Sequence, residues 1–283
     1  MRAPAKVNLH LDVGGLRVDG FHDLVSLFQA VSLYDEIRIM VGGQGLSLTG
    51  EFGFPASQNI ITRAARSFLD ATGLAVGIRI DVVKSIPMAA GLGGGSSDAA
   101  ATLRCLSALL APDMPAPRLR SLAATLGSDV PFFLGSAAAL VGGRGDVVTG
   151  LPPRTDYAMA AVLPGIPVGT AAAYAALDAT SRPPGGRLSS AELVKRYAER
   201  PASEWWFTNS FDRVVLQEHP VLSASREALL AAGAASAGLT GSGSTVIGLF
   251  DEESAAAGCV SALTAAGYAA ILLLPLATIP RVC

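Results

Sequence analysis

The run PMAAGLGGGSSDAA, residues 87–100, holds four glycines and two serines within the seven residues 91–97. Its flanks settle what it joins. Upstream, GIRIDVVKSIP (77–87) alternates Ile78, Ile80 and Val82 with Arg79 and Asp81, the period of a half-buried strand. Downstream, SDAAATLRCLSALL (97–110) is rich in helix formers and stops at Ala111, Pro112 and Asp113. The run is therefore a loop leading from a strand into a helix, and not a flexible linker between domains.

A helix start carries backbone N–H groups without intrahelical partners. Glycines ahead of it let further amides approach a ligand, so the unit suits an anion such as phosphate. A tight structural turn is the competing reading. Two nucleotide motifs fail against the letters. A P-loop counted from Gly91 reaches Ser96 and Ser97 where Gly-Lys is required. A dinucleotide fingerprint needs Gly or Ala at Ser96, and the acid that should follow is only Asp113 in a Pro-rich turn.

The chain has 283 residues, 51% of them hydrophobic, enough for one large domain or two closely joined ones. A net charge of -2 and the lack of any Lys/Arg run speak against nucleic acid or an anionic membrane as partner. Cys105, Cys259 and Cys283 are scattered, as are His10, His22 and His219, so no metal spacing is visible and a reducing cytoplasm is expected. No signal peptide is expected, because the first residues move directly into a strand pattern. The apolar stretch 268–280 is too short to span a bilayer.

Along the chain, AKVNLHLDV (5–13) places Ala5, Val7, Leu9, Leu11 and Val13 on one strand face and Lys6, Asn8, His10 and Asp12 on the other. Gly14 and Gly15 are expected to turn the chain into a second strand over 21–41, with a glycine turn at 42–45. Residues 59–73 read as a helix ended by Gly73, and 119–126 as a short one. DVPFFLGSAAALVG (129–142) begins a further sheet segment, with Pro131 near a strand start. GLPPRTDY (150–157) marks the boundary between an N-terminal lobe, 1–155, and a C-terminal lobe, 156–283. There AMAAVLPG reads as a strand, SRPPGGR (181–187) as an exposed loop, and TGSGS (240–244) as a turn into an apolar strand. The chain ends with a helix over 251–267 and a last strand from Ala269. The order indicates an α+β chain in two lobes.

Four segments look chemically loaded: APAKVNLHLDVGGLRVDGFHDL (3–24), the glycine loop, LGSDVPFFL (126–134) with GGRGDVV after it, and TGSGSTV (240–246). Together they resemble the GHMP small-molecule kinases over nearly the whole chain. The resemblance implies an N-terminal lobe like ribosomal protein S5, a ferredoxin-like C-terminal lobe, and ATP with Mg2+. Within the family, PAK-N-L and DG-aromatic-H point to a member acting on a cytidine diphosphate-linked methylerythritol, with no protein partner predicted.

Phosphorylating an alcohol needs a group that orients and deprotonates the hydroxyl, and a cation beside it. The resemblance implies Asp129 as that base and Lys6 as that cation. A turn carboxylate at Asp129 and a solvated strand face for Lys6 and Asn8 are the structural alternatives. Pro87, Gly91, Leu92, Gly93, Gly94, Gly95, Ser96 and Ser97 would wrap the ATP phosphates, and Asn59 would serve the adenine side or simply cap a helix. Ser97 and Asp98 are open as magnesium ligands, with none assigned. Asn8, Phe21, His22, Thr170 and Tyr174 would bind the cytidyl substrate. Relatives usually place tyrosine before this histidine; Phe21 keeps the stacking face and loses the hydroxyl. Tyr174 reads equally as core, TGSGS as a hairpin turn, and Asn209 is only a weak candidate. Other GHMP kinases of mevalonate, homoserine or sugars are the alternatives, with a catalytically silent relative and a dehydrogenase behind them.

Overall fold

The computed structural model of the chain describes residues 1–180, 188–205 and 208–283; the loop expected at 181–187 lies outside them. Strand β1 (Arg2–Leu16) and strand β2 (His22–Val41) pair antiparallel along most of their length. β2 is long enough to carry two more partners, β4 (Ile78–Val83) along Glu36–Val41 and β5 (Ala138–Gly142) along Ser26–Gln29. Parallel β3 (Leu46–Thr49) extends the sheet beyond β4, and antiparallel β6 (Val147–Leu151) beyond β5. The expected turn at Gly14 and Gly15 is not there. Both lie inside β1, where a side chain on Gly14 would meet the Asp23 carbonyl oxygen of β2 at 2.5 Å. Glycine at that point permits a close strand approach, and the chain reverses at 17–20.

Helices α1 (Ile60–Thr72), α2 (Gly94–Leu110) and α3 (Ala116–Leu126) cover one face of this sheet. α1 has the ends its letters predict: the Asn59 side chain accepts from the Ile61 N–H, and Gly73 closes it at φ 69°. Its stripe of Ile61, Ala64, Ala65 and Phe68 packs with Leu103 and Leu106 of α2 against Ile37, Ile78 and Ile80. Full burial of Phe68 alone contributes about 1.5–3 kcal/mol. α2 starts at Gly94 and not at Ser97, because Gly93 makes the left-handed turn that lets Gly94 and Gly95 join the helix. Pro131 is likewise displaced from the strand expected around it. It opens a 3-10 turn, Val130–Leu134, where its fixed φ and missing donor suit a helix start, and β5 begins only at Ala138.

Residues 152–157 cross to a second, wholly antiparallel sheet. It is made of β7 (Ala158–Val162), β8 (Ser236–Leu239), β9 (Val246–Phe250) and β10 (Ala270–Leu273), in the order β10-β7-β9-β8. Helices α4 (Thr170–Asp178), α5 (Ser190–Glu199), α6 (Asp212–Glu218) and α7 (Pro220–Ala231) lie between β7 and β8, and α8 (Glu253–Ala265) joins β9 to β10. Strand, helices, two strands, helix, strand, with the last strand beside the first, is the ferredoxin-like order. β7 is buried on both faces, which is why AMAAV reads as one apolar run. Met159 and Ala161 meet Ala5, Val7 and Leu9 of β1, while Ala158, Ala160 and Val162 meet Leu177, Leu222 and Leu263. The two lobes therefore share a core, and β1 runs along their seam with Lys6, Asn8 and His10 enclosed.

Candidate active site

Lys6, Asn8 and His10 are 4%, 3% and 4% exposed, so a solvated strand face is excluded. Lys6 Nζ donates to Asn8 Oδ1 at 2.7 Å, lies 3.7 Å from Asp129 Oδ2 and 4.7 Å from the centre of the Phe28 ring. Burial lowers the Lys6 pKa from lysine's ordinary value, and the Asp129 carboxylate opposes that drift. Asp129 stands where α3 gives way to the 3-10 turn, with its side chain partly open to the cleft beside it.

Asn8 lines the same cleft, yet both ends of its amide are occupied within the protein. Oδ1 also accepts from the Gly241 N–H at 2.8 Å, and Nδ2 donates to Ser26 Oγ at 2.9 Å. Thr240 Oγ1 takes the Asn8 backbone N–H at 2.9 Å and reaches the Gly91 carbonyl at 3.3 Å. The TGSGS turn is thus more than a hairpin connection: it is fastened to β1 and to the glycine loop at once. Asn209 supports it from below, donating to the carbonyls of Leu239 and Gly241 at 2.7 and 2.8 Å.

The glycine loop closes against this turn. Gly91 has φ 78°, and a Cβ on it would sit 2.0 Å from the Thr240 carbonyl oxygen; on Gly93, at φ 69°, a Cβ would strike the Lys6 stem at 2.9 Å. The first intrahelical bond of α2 runs from the Ser97 N–H to the Gly93 carbonyl, so the amides of Gly94, Gly95 and Ser96 precede it and are available to an anion.

Two clefts meet at this loop, both lined by Gly91 and Gly93. One, of about 430 Å³, brings together Asn59, Pro87, Leu92, Gly94, Gly95 and Ser96 with Phe52, Phe54 and Met88. Ser97 does not line it; it is 1% exposed and its hydroxyl has no hydrogen-bond partner among the described residues. Asp98 does reach this wall, but Lys84 holds it at 2.8 Å and bonds Asp35 as well, with Asp35 in turn accepting from the N–H groups of Ser85 and Ile86. Burial pushes Asp98 up to about 7, with Lys84 pulling against it and Asp35 adding to it. Desolvation lowers Lys84, but Asp98 and Asp35 outweigh it and leave its pKa raised.

The other cleft, of about 680 Å³, is lined by Lys6, Asn8 and Asp129 together with Phe21, His22, Thr170 and Tyr174. Tyr174 is half-buried beside the His22 ring at 4.9 Å and stands edge-on to Phe211 at 5.0 Å, so it is partly core and partly wall. Thr170 Oγ1 lies 3.1 Å from Ser242 Oγ, and the Phe21 ring is covered by the Arg144 guanidinium at 4.9 Å. Sequence reasoning had not singled out Lys84, Arg144, Asp178, Phe52 or Phe54. Lys84 carried a usable signal, as one of only three lysines in the chain and three residues before Pro87. Arg144 and Asp178 carried none, since charges in turns and at helix ends are ordinary.

Comparison with known proteins places this geometry. The GHMP kinases N terminal domain family matches residues 59–141, and the GHMP kinases C terminal family matches 186–269. A 4-diphosphocytidyl-2-C-methyl-D-erythritol kinase of Geobacter metallireducens is 41% identical over 93% of both chains, and one of Treponema pallidum is 40% identical over 89% of this chain and 90% of its own. The crystal structure of a 4-(cytidine 5'-diphospho)-2C-methyl-D-erythritol kinase superposes with a TM-score of 0.81 at 36% identity, covering 97% of this chain and 98% of the other. A homoserine kinase from Cytophaga hutchinsonii shares the fold at a TM-score of 0.70 and 22% identity. Identity of 40–41% along about nine-tenths of both chains decides the branch: the chain belongs to the GHMP kinases, among the 4-diphosphocytidyl-2-C-methyl-D-erythritol kinases.

Proposed function

We propose that the chain transfers the γ-phosphoryl group of ATP to the 2-hydroxyl of 4-diphosphocytidyl-2-C-methyl-D-erythritol, a step of non-mevalonate isoprenoid precursor synthesis. The observation that carries this reading is the junction of the two clefts at Gly91 and Gly93, with Lys6 and Asp129 on the substrate side of it. ATP lies in the smaller cleft, its phosphates against the amides that open α2. The cytidyl alcohol fills the larger one, which is shared between lobes 1–155 and 156–283. Asp129 accepts the hydroxyl proton as the oxygen–phosphorus bond forms and the bond to ADP breaks. Lys6, 3.7 Å from that carboxylate, offsets charge on the moving phosphoryl.

Magnesium enters as part of MgATP. Among the described residues no group of three or more His, Cys, Asp or Glu is placed to hold a metal, and the nearby Asp98 is paired with Lys84. Phosphate oxygens and water would ligate it, with Ser97 and Asp98 left open as further ligands. No helix among the described residues is long and apolar enough to cross a membrane, and the three cysteines are free, in keeping with the reducing cytoplasm we assign.

The purified protein with MgATP should release ADP on addition of the cytidyl substrate and not with mevalonate or homoserine; the opposite preference overturns the assignment. The rate should also fall on the alkaline side with an apparent pKa below lysine's ordinary 10.5, because burial lowers Lys6 and only its protonated form offsets charge. A kcat profile flat to that pH would remove Lys6 from this role. Asn59→Asp separates the two readings of Asn59. Aspartate caps a helix as well as asparagine does but has no N–H to offer a base. The melting temperature should hold within about 2 °C while the KM for ATP rises; an unchanged KM leaves Asn59 as a cap only.

A further inference from the structure

One contact in the wall of the substrate cleft joins the lobes. His22 opens β2 in the first lobe, and Asp178 closes α4 in the second. His22 Nε2 lies 2.8 Å from Asp178 Oδ1, the imidazole rests against Tyr174, and all three residues line the cleft. Folding by itself gives no reason for this acid. Asp178 is the last residue of a helix, where the macrodipole disfavours negative charge, and its side chain is 44% exposed.

The contact has a chemical consequence for the ring. An ionised carboxylate accepts hydrogen bonds and donates none, so the single proton of a neutral imidazole is drawn to Nε2. Nδ1 is then left as an acceptor. An acceptor at that ring position pairs with the exocyclic amino group that distinguishes cytosine and opposes the carbonyl that uracil carries in its place.

We propose that Asp178 is a positioning residue that holds His22 in the tautomer with its proton on Nε2, and that this sets the preference of the cleft for cytosine over uracil. The proposal rests on reading the cleft as a cytidyl site. It assigns Asp178 no part in the chemistry: Asp178 is bonded to His22, while Lys6 and Asp129 pair with each other.

The test compares wild type, Asp178→Ala and Asp178→Asn on the cytidyl substrate and on its uridyl counterpart. Wild type should favour the cytidyl compound in kcat/KM. Asp178→Ala should raise the KM for it by about tenfold, a hydrogen bond's worth, with kcat, the KM for ATP and the melting temperature close to wild type. Asp178→Asn is the sharper variant. It keeps the shape of aspartate but presents either a carbonyl or an amino group to Nε2, so the tautomer is no longer fixed and the preference for cytosine should fall by about tenfold. A structural role alone would be rescued by this isosteric change. If both variants keep the wild-type preference and KM, the proposal is overturned. If wild type phosphorylates neither compound, the functional reading fails first and this one with it.

Discussion

Asp129→Asn is expected to lower kcat by about 10²- to 10⁴-fold, the range over which a positioned general base acts. The amide keeps the volume of the carboxylate but cannot take the hydroxyl proton. The change also reaches Lys6. That buried ammonium is opposed by desolvation and supported by the carboxylate 3.7 Å away, so an amide there lets its pKa fall further. Residual turnover should therefore lose its alkaline limb at lower pH than wild type. Binding of ATP should be unaffected, because Asp129 lines only the substrate cleft. Stability should change by about 1 kcal/mol, since Asp129 is partly open to solvent and the buried Lys6 keeps its bond to Asn8, which for a chain of this size is a few degrees of melting temperature at most. The measurement is steady-state ADP release alongside calorimetric titration with a nucleotide analogue. A kcat within tenfold of wild type would falsify the assignment of Asp129 as base.

Gly91→Ala is expected to disable the protein by a different route. The left-handed φ of 78° costs a residue with a Cβ about 1–2 kcal/mol. The new methyl carbon would also stand 2.0 Å from the Thr240 carbonyl oxygen, an atom of the backbone that no rotamer change can withdraw. The glycine loop and the TGSGS turn must separate. That separation takes with it the hydrogen bond from Thr240 to the Gly91 carbonyl and the one from the Thr245 N–H to the Ala90 carbonyl. A total of about 3–5 kcal/mol, the range of the more severe single substitutions, corresponds to a melting temperature lower by roughly 10 °C. ATP affinity should drop with it, because Gly91 belongs to both clefts. Gly95→Ala is the control: a Cβ there makes only an ordinary 3.7 Å contact with Ile60, so its stability should stay near wild type. A stable Gly91→Ala protein with normal ATP affinity would show that the loop and the turn are not a closed unit.

How much of this was legible in the letters follows the range over which each feature is decided. Alternation marked the strands around Lys6 and Ile80, and the Asn59 cap and Gly73 stop marked α1, because period and capping act within a few residues. The glycine loop was legible as a strand-to-helix connection for the same reason. The misplaced features were those set by a neighbouring chain. Gly14 reads as a turn until the Asp23 carbonyl of β2 is seen pressing on it, and Pro131 reads as a strand start until the 3-10 turn is seen to seat Phe132 and Phe133 in the core. Helix α4 went unassigned because its alanine-rich TAAAYAALD shows little amphipathic contrast; α5 to α7 went unassigned too, although α5 sets Leu193 and Tyr197 on one buried face.

For the site, the sequence by itself determined the parts: a lysine and an asparagine on one strand face, a loop that admits amides to an anion, an aspartate before a helical turn, and an aromatic–histidine pair after a glycine. Their arrangement was decided by the tertiary structure alone. Whether Lys6 faced water or Asp129, whether TGSGS was a plain hairpin or a clasp on Gly91, and which acid met His22 all depend on side chains far apart in the chain. In the last case 156 residues separate the partners. No local pattern encodes such pairings, because the free energy that fixes them comes from packing two sheets face to face across β1, and the charges take up the positions that this shared core leaves to them.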